Sequence, residues 1–518
     1  MNPVNSPQLA TGVESPSRRA FFGLNQDLNA ALSSQGKAAA SAFALNLAAA
    51  GAAAAASVAP GDPYKALVCL FMYGGNDSHN WVYPFDAASY QTYASARGGV
   101  FHATNNPSGL ALGVGSSAMG ASRITDGRQF TMASTLAPLR ALYDAGQLAV
   151  LPNVGPLIRP VTKTQYQSGG ADLPPKLFSH NDQASIWQAN APEGARYGWA
   201  GRMGDLLQSA NAAPVFTSIS ATGNTVLLAG QSVVQYQVST SGSVTMSGTK
   251  SNPLNSTTGA AQVLAALQDT GVTALQAEYA RVIRRSIDTD VTFKAQVLDL
   301  DKVNGVEKKP FDTRLATPAT AYINPGAGPV SLDKDSLAQQ LRMVAQIIAK
   351  NTDIGAKRQV FMVSMGGFDT HDDHARDQPA LMQRVAHSIK YFQDAITALG
   401  LANNVALFTA SDFGRTLSSN GKGSDHGWGA THFIAGGSGQ ATASPSTGNV
   451  KGGNIFGTPE PAGLGHNSEV GQGRLLPTTS VDQYAATLGK WFGLSDTDLD
   501  LVLPNLRNFG ARDLGFML

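Results

Sequence analysis

Short apolar segments alternate with helix-like segments along most of this chain. Segments 66–72, 359–364 and 405–409 are uncharged runs, typical of strands that are buried on both faces of a sheet. Apolar residues at helical spacing occupy five further segments, which are 136–143, 260–300, 331–350, 379–399 and 481–492. Alternation of this kind is typical of a sheet whose strands are connected through helices. We therefore predict an α/β fold, with a mostly parallel sheet and helices on both faces.

One region departs from this alternation. Residues 213–249 are rich in Ser, Thr, Val and Gly, and apolar and polar residues alternate around 233–238. A period of two is typical of strands with one exposed face. We expect β-hairpins here, as a β-rich insertion over about 213–258 within an α/β domain that spans 60–518.

The N-terminus has the pattern of an export signal. Arg18 and Arg19 precede Phe21 and Phe22, and this order resembles the twin-arginine motif. An Ala-rich run over 38–59 follows, with small residues that suit a signal peptidase. The alternative is an amphipathic Ala-rich helix or a disordered leader. We expect residues 1–59 to be a twin-arginine-type export signal or leader, and the protein to be periplasmic or secreted.

Composition excludes several classes of protein. Lys and Arg number 37 and Asp and Glu 36, so the net charge is +1, which argues against a nucleic-acid binder. No strongly apolar stretch reaches the roughly 18 residues of a membrane span, so we do not expect an integral membrane protein. Charged residues make up only 14% of the chain, and such a weakly repelling surface favours modest self-association.

Acidic residues and histidines follow three of the predicted strands. They are Asp77 and His79 after the first, Asp369, His371 and His374 after the second, and Asp412, Asp425, His426 and His432 after the third. Ligands of open α/β sheets bind beyond the carboxyl ends of strands. Carboxylates mixed with imidazoles suit a divalent metal such as Zn, Mn or Mg. Taken singly, each motif could equally be a turn or a helix cap, but together they predict a metal site.

Ser179 is a candidate nucleophile. It stands where a helix is predicted to begin, and the free backbone N–H groups of a helix start attract anions. A metal bound to the hydroxyl would lower its pKa and activate it. The alternative is that Ser179 only caps the helix.

Several motifs together carry a resemblance to a known family. They are Gly74-Gly75-Asn76-Asp77, Ser179-His180-Asn181-Asp182-Gln183, Gly198-Trp199-Ala200-Gly201-Arg202, Gly367-Phe368-Asp369-Thr370-His371, Ser411-Asp412-Phe413-Gly414-Arg415 and Asp425-His426-Gly427. In their residues and in their order along the chain, these motifs resemble those of the DUF1501 family. The resemblance extends from about Tyr64 to the C-terminus. That family is similar in fold to the alkaline phosphatase/sulfatase superfamily and consists mostly of exported bacterial proteins.

The resemblance implies a hydrolase of phosphate or sulfate esters, acting on a small-molecule or polymer substrate. It implies one or two divalent metal ions and an activated serine. The residues it implies are Ser179 as nucleophile, Asp77 and Asp412 at one metal, Asp369, His371 and His426 at a second, and Arg415, His180 and Arg202 toward the substrate.

The chain also departs from the superfamily. Phe413 stands where a histidine usually follows the third-strand aspartate, so the first metal lacks an imidazole unless His180 or Asp425 substitutes. The Cys/Ser-x-Pro-x-Arg motif of sulfatases is absent around Ser179. The alternative function is therefore a catalytically inactive, metal-binding envelope, assembly or structural protein. Iron or copper in the protein would instead favour redox chemistry.

Overall fold

A computed structural model describes most of the chain after residue 57. The described residues are 58–59, 61–102, 104–243, 258–259, 262, 265, 273–296, 302–303, 306–307, 322–324, 328–330, 332–439 and 448–518. The predicted leader falls outside them, apart from residues 58 and 59. No helix within this part of the chain is long and apolar enough to cross a membrane.

Ten α-helices lie in the described residues. They are α1 (Ala87–Ala96), α2 (Ala137–Asp144), α3 (Lys163–Gln167), α4 (His180–Ala189), α5 (Trp199–Leu207), α6 (Ala274–Gln296), α7 (Ser336–Ala349), α8 (His374–Ala398), α9 (Val481–Phe492) and α10 (Asp496–Val502). The helices predicted from apolar spacing are confirmed as α2, α6, α7, α8 and α9.

The described strands are short. They are β1 (Lys65–Met72), β2 (Val82–Pro84), β3 (Phe130–Met132), β4 (Leu148–Gly155), β5 (Ser218–Ser220), β6 (Tyr236–Ser239), β7 (Gly242–Ser243), β8 (Lys302–Val303), β9 (Val306–Glu307), β10 (Tyr322–Asn324), β11 (Gly328–Val330), β12 (Arg358–Met365), β13 (Val405–Ser411), β14 (Arg415–Ser419), β15 (Ser424–His426), β16 (Ala430–Gly436), β17 (Asn454–Ile455) and β18 (Thr479–Ser480).

Ten of these strands form one large sheet, in the order β17-β4-β16-β13-β1-β12-β5-β6-β7, with β18 also paired to β4. β1 lies at the centre and is parallel to β12 and β13. β5 and β6 continue the parallel pairing beyond β12, whereas β16 runs antiparallel between β13 and β4. The predicted mostly parallel sheet is confirmed.

Helices cover both faces of the sheet. Side chains alternate along a strand, so Leu70 and Phe71 of β1 point to opposite faces. Leu70 belongs to the core cluster that contains apolar residues of α2, α7 and α8. Phe71 instead contacts Trp187 of α4, and Phe408 of β13 packs against Tyr484 of α9 on that same face. Both faces of the central strands are thus closed, which explains their uninterrupted apolar sequences.

The region around 213–243 adds strands to the main sheet. β6 and β7 form the hairpin that period-two alternation suggests. β5 pairs with β12, and β6 pairs with β5, so both extend the sheet edge and do not fold apart from it. Residues 244–257, at the end of the predicted insertion, lie outside the described residues.

Three strands end level at one edge of the sheet. Met72 of β1 is paired with Met365 of β12 and with Ser411 of β13, so the three following loops begin side by side. Gly74 lets two of these loops touch, because a Cβ at this residue would lie 2.4 Å from the backbone nitrogen of Asp369. Its φ of 116° also favours glycine. The loop sequence therefore brings the candidate site residues close together.

The C-terminal end of α4 is fixed by a buried carboxyl group on α9. Asp482 is 1% exposed, and its Oδ2 accepts a hydrogen bond of 2.8 Å from Asn190 Nδ2. Burial raises the pKa of Asp482 to about 7. The folded protein therefore keeps a proton that the unfolded chain releases above about pH 4. The stabilising contribution of this proton is complete below about pH 4 and is lost as the pH rises through about 7.

Asp482→Asn is expected to remove this pH dependence. Relative to wild type, the variant should gain up to about 4 kcal/mol of unfolding free energy between about pH 4 and pH 7. Urea unfolding across that range measures the difference. Asp500→Asn is the control, because that carboxyl group is 45% exposed. If the free energies of unfolding of wild type and Asp482→Asn changed equally with pH, the buried carboxyl group would not titrate in this way.

Candidate metal centre

Three histidines surround one carboxylate oxygen at the carboxyl edge of the sheet. Asp369 Oδ1 lies 3.3 Å from His180 Nε2, 3.1 Å from His371 Nε2 and 3.4 Å from His426 Nε2. Asp369 and His371 follow β12, His426 ends β15, and His180 is the first residue of α4. His180, Asp369 and His426 each offer a ligand atom within 4.8 Å of the others. The structure therefore brings together residues that are far apart in sequence.

Two of the imidazoles have their Nδ1 groups occupied. His426 Nδ1 donates to the carbonyl oxygen of Phe178 over 2.7 Å, since a carbonyl can only accept. His371 Nδ1 lies 3.2 Å from Asp425 Oδ1. In the neutral rings the lone pairs are then on Nε2, on the side of Asp369. Carboxylate and carbonyl partners orient metal-binding histidines in this way.

His180 is held in the same manner by Asp412. Its Nδ1 lies 2.8 Å from Asp412 Oδ2, which also accepts a hydrogen bond from the backbone nitrogen of Gly74 over 3.0 Å. Asp412 is 2% exposed. The sequence predicts Asp412 as a metal ligand, but the structure places it behind His180, where it orients the ring.

The donor set fits a divalent ion. His180 Nε2 is buried and makes no hydrogen bond within the described residues, although it lies close to Asp369. His371 Nε2 and His426 Nε2 are 2.9 Å apart, and two facing lone pairs repel unless a cation or proton lies between them. A Zn–N bond measures about 2.0–2.1 Å, so one ion can reach both nitrogens. Imidazole with carboxylate suits zinc and related borderline metals.

Local interactions favour the metal-binding form of two ligands. Burial lowers the pKa of His426, which keeps this ring neutral. Burial on its own raises the pKa of Asp369, but the Arg415 guanidinium outweighs this effect and keeps its carboxyl ionised. His180 differs, because the hydrogen bond with Asp412 raises its pKa. A metal at this site must therefore displace a proton from His180 at mildly acidic pH.

Arg415 is not accessible to a substrate. Its side chain is fully buried, and the group forms a close ion pair with Asp369. Its remaining hydrogen bonds go to backbone carbonyls, those of Gly75 (2.9 Å), Ser424 (2.8 Å), Gly74 (2.6 Å) and Phe368 (3.1 Å). The sequence predicts an ester contact for this residue. In the structure, Arg415 instead connects the loops after β1 and β12 to β15 and orients Asp369.

Asp77 lies in a separate buried ion pair. Its carboxylate contacts Arg97 closely and lies 2.9 Å from His374 Nε2, and the side chains of Asp77 and Arg97 are both 0% exposed. Burial on its own raises the pKa of Asp77, but Arg97 and His374 outweigh this effect and hold it well below its usual range. The Asp77 carboxylate, which the sequence assigns to a metal, is thus already paired with the Arg97 guanidinium.

Arg202 lies away from the three histidines. Its Nε donates to the carbonyl of Val502 over 2.8 Å, and its Nη2 donates to Asn190 Oδ1 over 2.9 Å. These bonds connect α5 to the end of α4 and to α10. Arg202 therefore holds α4, α5 and α10 together and does not lie at the candidate centre.

Ser179 stands at the edge of the donor set. It directly precedes His180 and follows Phe178, whose carbonyl holds His426. Its hydroxyl donates to Asp182 Oδ2 over 2.8 Å and does not cap α4. This hydrogen bond is the main cause of the lowered pKa of Asp182, which therefore stays ionised and orients the hydroxyl.

Comparison with protein families gives a match over most of the chain. Residues 64–504 match DUF1501, which is described as a protein of unknown function. The chain belongs to the DUF1501 family. No curated protein matches the sequence. Two crystal structures of Ps i-CgsB, one of them in complex with k-i-k-neocarrahexaose, are similar at 12% identity and a TM-score of 0.32; each match covers 86% of this chain and 77% of the other.

Phe413 forms one wall of the candidate centre. Its ring centre lies 4.8 Å from that of His180 and 4.6 Å from that of His426. A Cβ at Gly75 would lie 2.3 Å from the Phe413 ring, so the preceding loop packs directly on it. Phe413 is thus an apolar support for two of the imidazoles.

Sequence reasoning missed the contribution of Phe178. This residue has a φ of 70°, which is uncommon for a bulky side chain, and this backbone directs its carbonyl to His426. Strained residues of this kind cluster at functional sites. A positive φ at an aromatic residue leaves no mark in the sequence, so only the structure could identify it.

Proposed function

We propose that this DUF1501 protein is a metal-dependent hydrolase of phosphate or sulfate esters. The observation that carries the proposal is the convergence of three Nε2 atoms on Asp369 Oδ1, with His180, His371 and His426 each held at Nδ1. The side chains of Asp369 and His371 are 49% and 42% exposed, so a substrate can reach the centre. Ionisable groups with perturbed pKa values cluster at active sites, and ligands of parallel sheets bind beyond the carboxyl ends of the strands. Both observations favour a catalytic role for this centre over a purely structural one.

His180, Asp369, His371 and His426 would hold the ion. A bound divalent ion supplies a Lewis acid that polarises the ester and lowers the pKa of a hydroxyl or water. Phe413 and the buried Arg415 fix the ligands and keep water from one side of the centre. These residues give the proposed ion a fixed environment on an open surface.

Ser179 is the proposed nucleophile. The residues on both sides of it, Phe178 and His180, contact the centre directly. Asp182 holds the hydroxyl through a hydrogen bond of 2.8 Å. The position at the start of α4 also favours an anionic ester, because the first N–H groups of a helix attract negative charge.

The proposal also includes an alkaline phosphatase-like fold and export from the cytoplasm. The mostly parallel sheet, with its candidate site beyond β1, β12 and β13, supports an alkaline phosphatase-like arrangement. The twin-arginine pattern at Arg18 and Arg19 supports export to the periplasm or beyond. Both inferences agree with an enzyme that acts on esters outside the cytoplasm.

Turnover of chromogenic esters tests the proposal. Metal-reconstituted protein is assayed with p-nitrophenyl phosphate and, separately, p-nitrophenyl sulfate. Ser179→Ala is expected to lower kcat by about 10³-fold or more, because the covalent step is lost. Ser168→Ala, an exposed serine after α3, is the control and should retain wild-type turnover. Equal rates for wild type and Ser179→Ala would contradict the assigned nucleophile.

A metal-binding protein without catalysis is the second candidate. His180, Asp369 and His426 offer ligand atoms within 4.8 Å of one another, and His371 Nε2 lies 2.9 Å from His426 Nε2. Four protein ligands would fill the tetrahedral shell of a structural zinc site. Such a centre would fix loops in an envelope, assembly or structural protein. Stoichiometric metal, no turnover of either ester and loss of assembly in Asp369→Ala would favour this candidate over the hydrolase.

A further inference from the structure

Arg474 is fixed beside the candidate metal centre. Its Nε donates to the backbone carbonyl of His426 over 2.8 Å, and its guanidinium carbon lies 5.4 Å from the centre of the Phe178 ring. Its Nη1 donates to the carbonyl of Gly471 over 3.3 Å. The guanidinium is thus held by a metal-ligand residue, an aromatic ring and a loop carbonyl.

Phe178 completes a closed set of contacts with Arg474 and His426. Its carbonyl accepts the Nδ1 proton of His426, while its ring supports Arg474. The φ of 70° at Phe178 costs energy and persists only where surrounding contacts maintain it. The orientation of the imidazole and that of the guanidinium therefore depend on one strained residue, which gives both a fixed position.

Arg474 has a donor to spare, whereas its cationic neighbours have partners. Its Nη2 has no hydrogen-bond partner in the described part of the chain. Arg415 is fully buried and paired with Asp369, and Lys422 lies 3.2 Å from Asp372. Arg474 therefore lies against the backbone of His426 with N–H groups available to a ligand.

We propose that Arg474 is a substrate-binding residue that takes a tetrahedral oxyanion, the sulfate or phosphate group of the ester, beside the metal ion. This inference rests on the proposed function and assigns the anion contact that Arg415 and Arg202 do not provide. A guanidinium suits this role because its planar N–H groups match the oxygens of phosphate and sulfate. Its prior fixation by Phe178 and His426 reduces the entropy lost on binding.

Calorimetric titration of inorganic phosphate and, in a separate arm, inorganic sulfate into the metal-loaded full chain tests the inference. Arg474→Gln is expected to weaken the binding of the preferred anion by about tenfold or more, with metal content unchanged. Arg474→Lys retains the charge and should fall between the two. Lys422→Gln is the matched control, since Lys422 is an exposed cation of the neighbouring hairpin and should bind the anion as wild type does. The arm with the tighter binding identifies the ester class.

Three results would overturn the inference. The first is equal anion affinity in wild type and Arg474→Gln. The second is loss of metal from Arg474→Gln together with loss of anion binding, because Arg474 would then only support His426. The third is a wild-type chain that holds metal and binds neither anion, which leaves the metal centre intact. Absence of metal from wild type would instead contradict the proposed function on which the inference rests.

Discussion

Asp77→Ala is expected to lower the free energy of unfolding by about 3–5 kcal/mol, because it leaves the Arg97 guanidinium buried without its carboxylate. Both side chains are 0% exposed, and His374 Nε2 lies 2.9 Å from the same carboxylate. Arg97 Nη1 reaches the carbonyls of Thr416 and Leu417 over 3.3 Å, but neither carries a full negative charge. The charge of Arg97 would thus remain unpaired in the core.

Urea unfolding monitored by circular dichroism measures this loss. Asp377→Ala is the control, since Asp377 forms an ion pair with Arg376 whose side chains are 42% and 55% exposed. Exposed pairs of this kind contribute about 0–1 kcal/mol. A loss below about 1 kcal/mol in Asp77→Ala would show that the buried pair is not a structural element. Folded Asp77→Ala should also retain metal, whereas a metal role for Asp77, as the sequence predicts, requires that it lose metal.

His426→Ala is expected to weaken metal binding by more than about a hundredfold. Its Nε2 is one of the nitrogens that surround Asp369, lying 3.4 Å from Oδ1 and 2.9 Å from His371 Nε2. Asp425→Asn should cost less, about ten- to a hundredfold, because Asp425 acts only by orienting His371. Competition with a chromogenic zinc chelator measures both affinities.

The order of these two effects discriminates between ligand and supporting roles. An Asp425→Asn loss as large as that of His426→Ala would show that Asp425 contacts the ion directly. His102→Ala is the control, because His102 is an exposed histidine outside the centre. Unchanged affinity in His426→Ala would remove this histidine from the metal site.

The architecture could be predicted because its signals are local. An apolar run such as 66–72 is typical of a strand that is buried on both faces of a sheet, and the structure has β1 at the centre of its sheet. Helix α9 likewise begins at a capping box of Ser480 and Gln483 and ends at Gly493. The loops after β1, β12 and β13 meet because parallel strands end at one edge, so the site region follows from the fold.

Several roles within the site could not be predicted, because they depend on pairings between distant residues. Asp77 resembles a ligand in sequence, but Arg97, at the end of α1, reaches its carboxylate. Arg202 resembles an anion-binding residue, but backbone carbonyls at Tyr197 and Val502 take its donors. The sequence places His180 toward the substrate or, as a substitute imidazole, at the first metal, whereas its place beside Asp369 depends on where α4 packs. None of these contacts has a spacing that a linear pattern could record.

Metal content is the most direct test of the proposed centre. Wild type, the double variant Asp369→Ala/His426→Ala and the control His102→Ala are purified without chelator, and elemental analysis by mass spectrometry determines the bound ions. We expect zinc, manganese or magnesium in stoichiometric amount in wild type and in the control, and its loss from a folded double variant. Wild type without metal after incubation with Zn²⁺ and Mn²⁺, or a double variant that retains its ion, would contradict the metal centre and the hydrolase proposed from it.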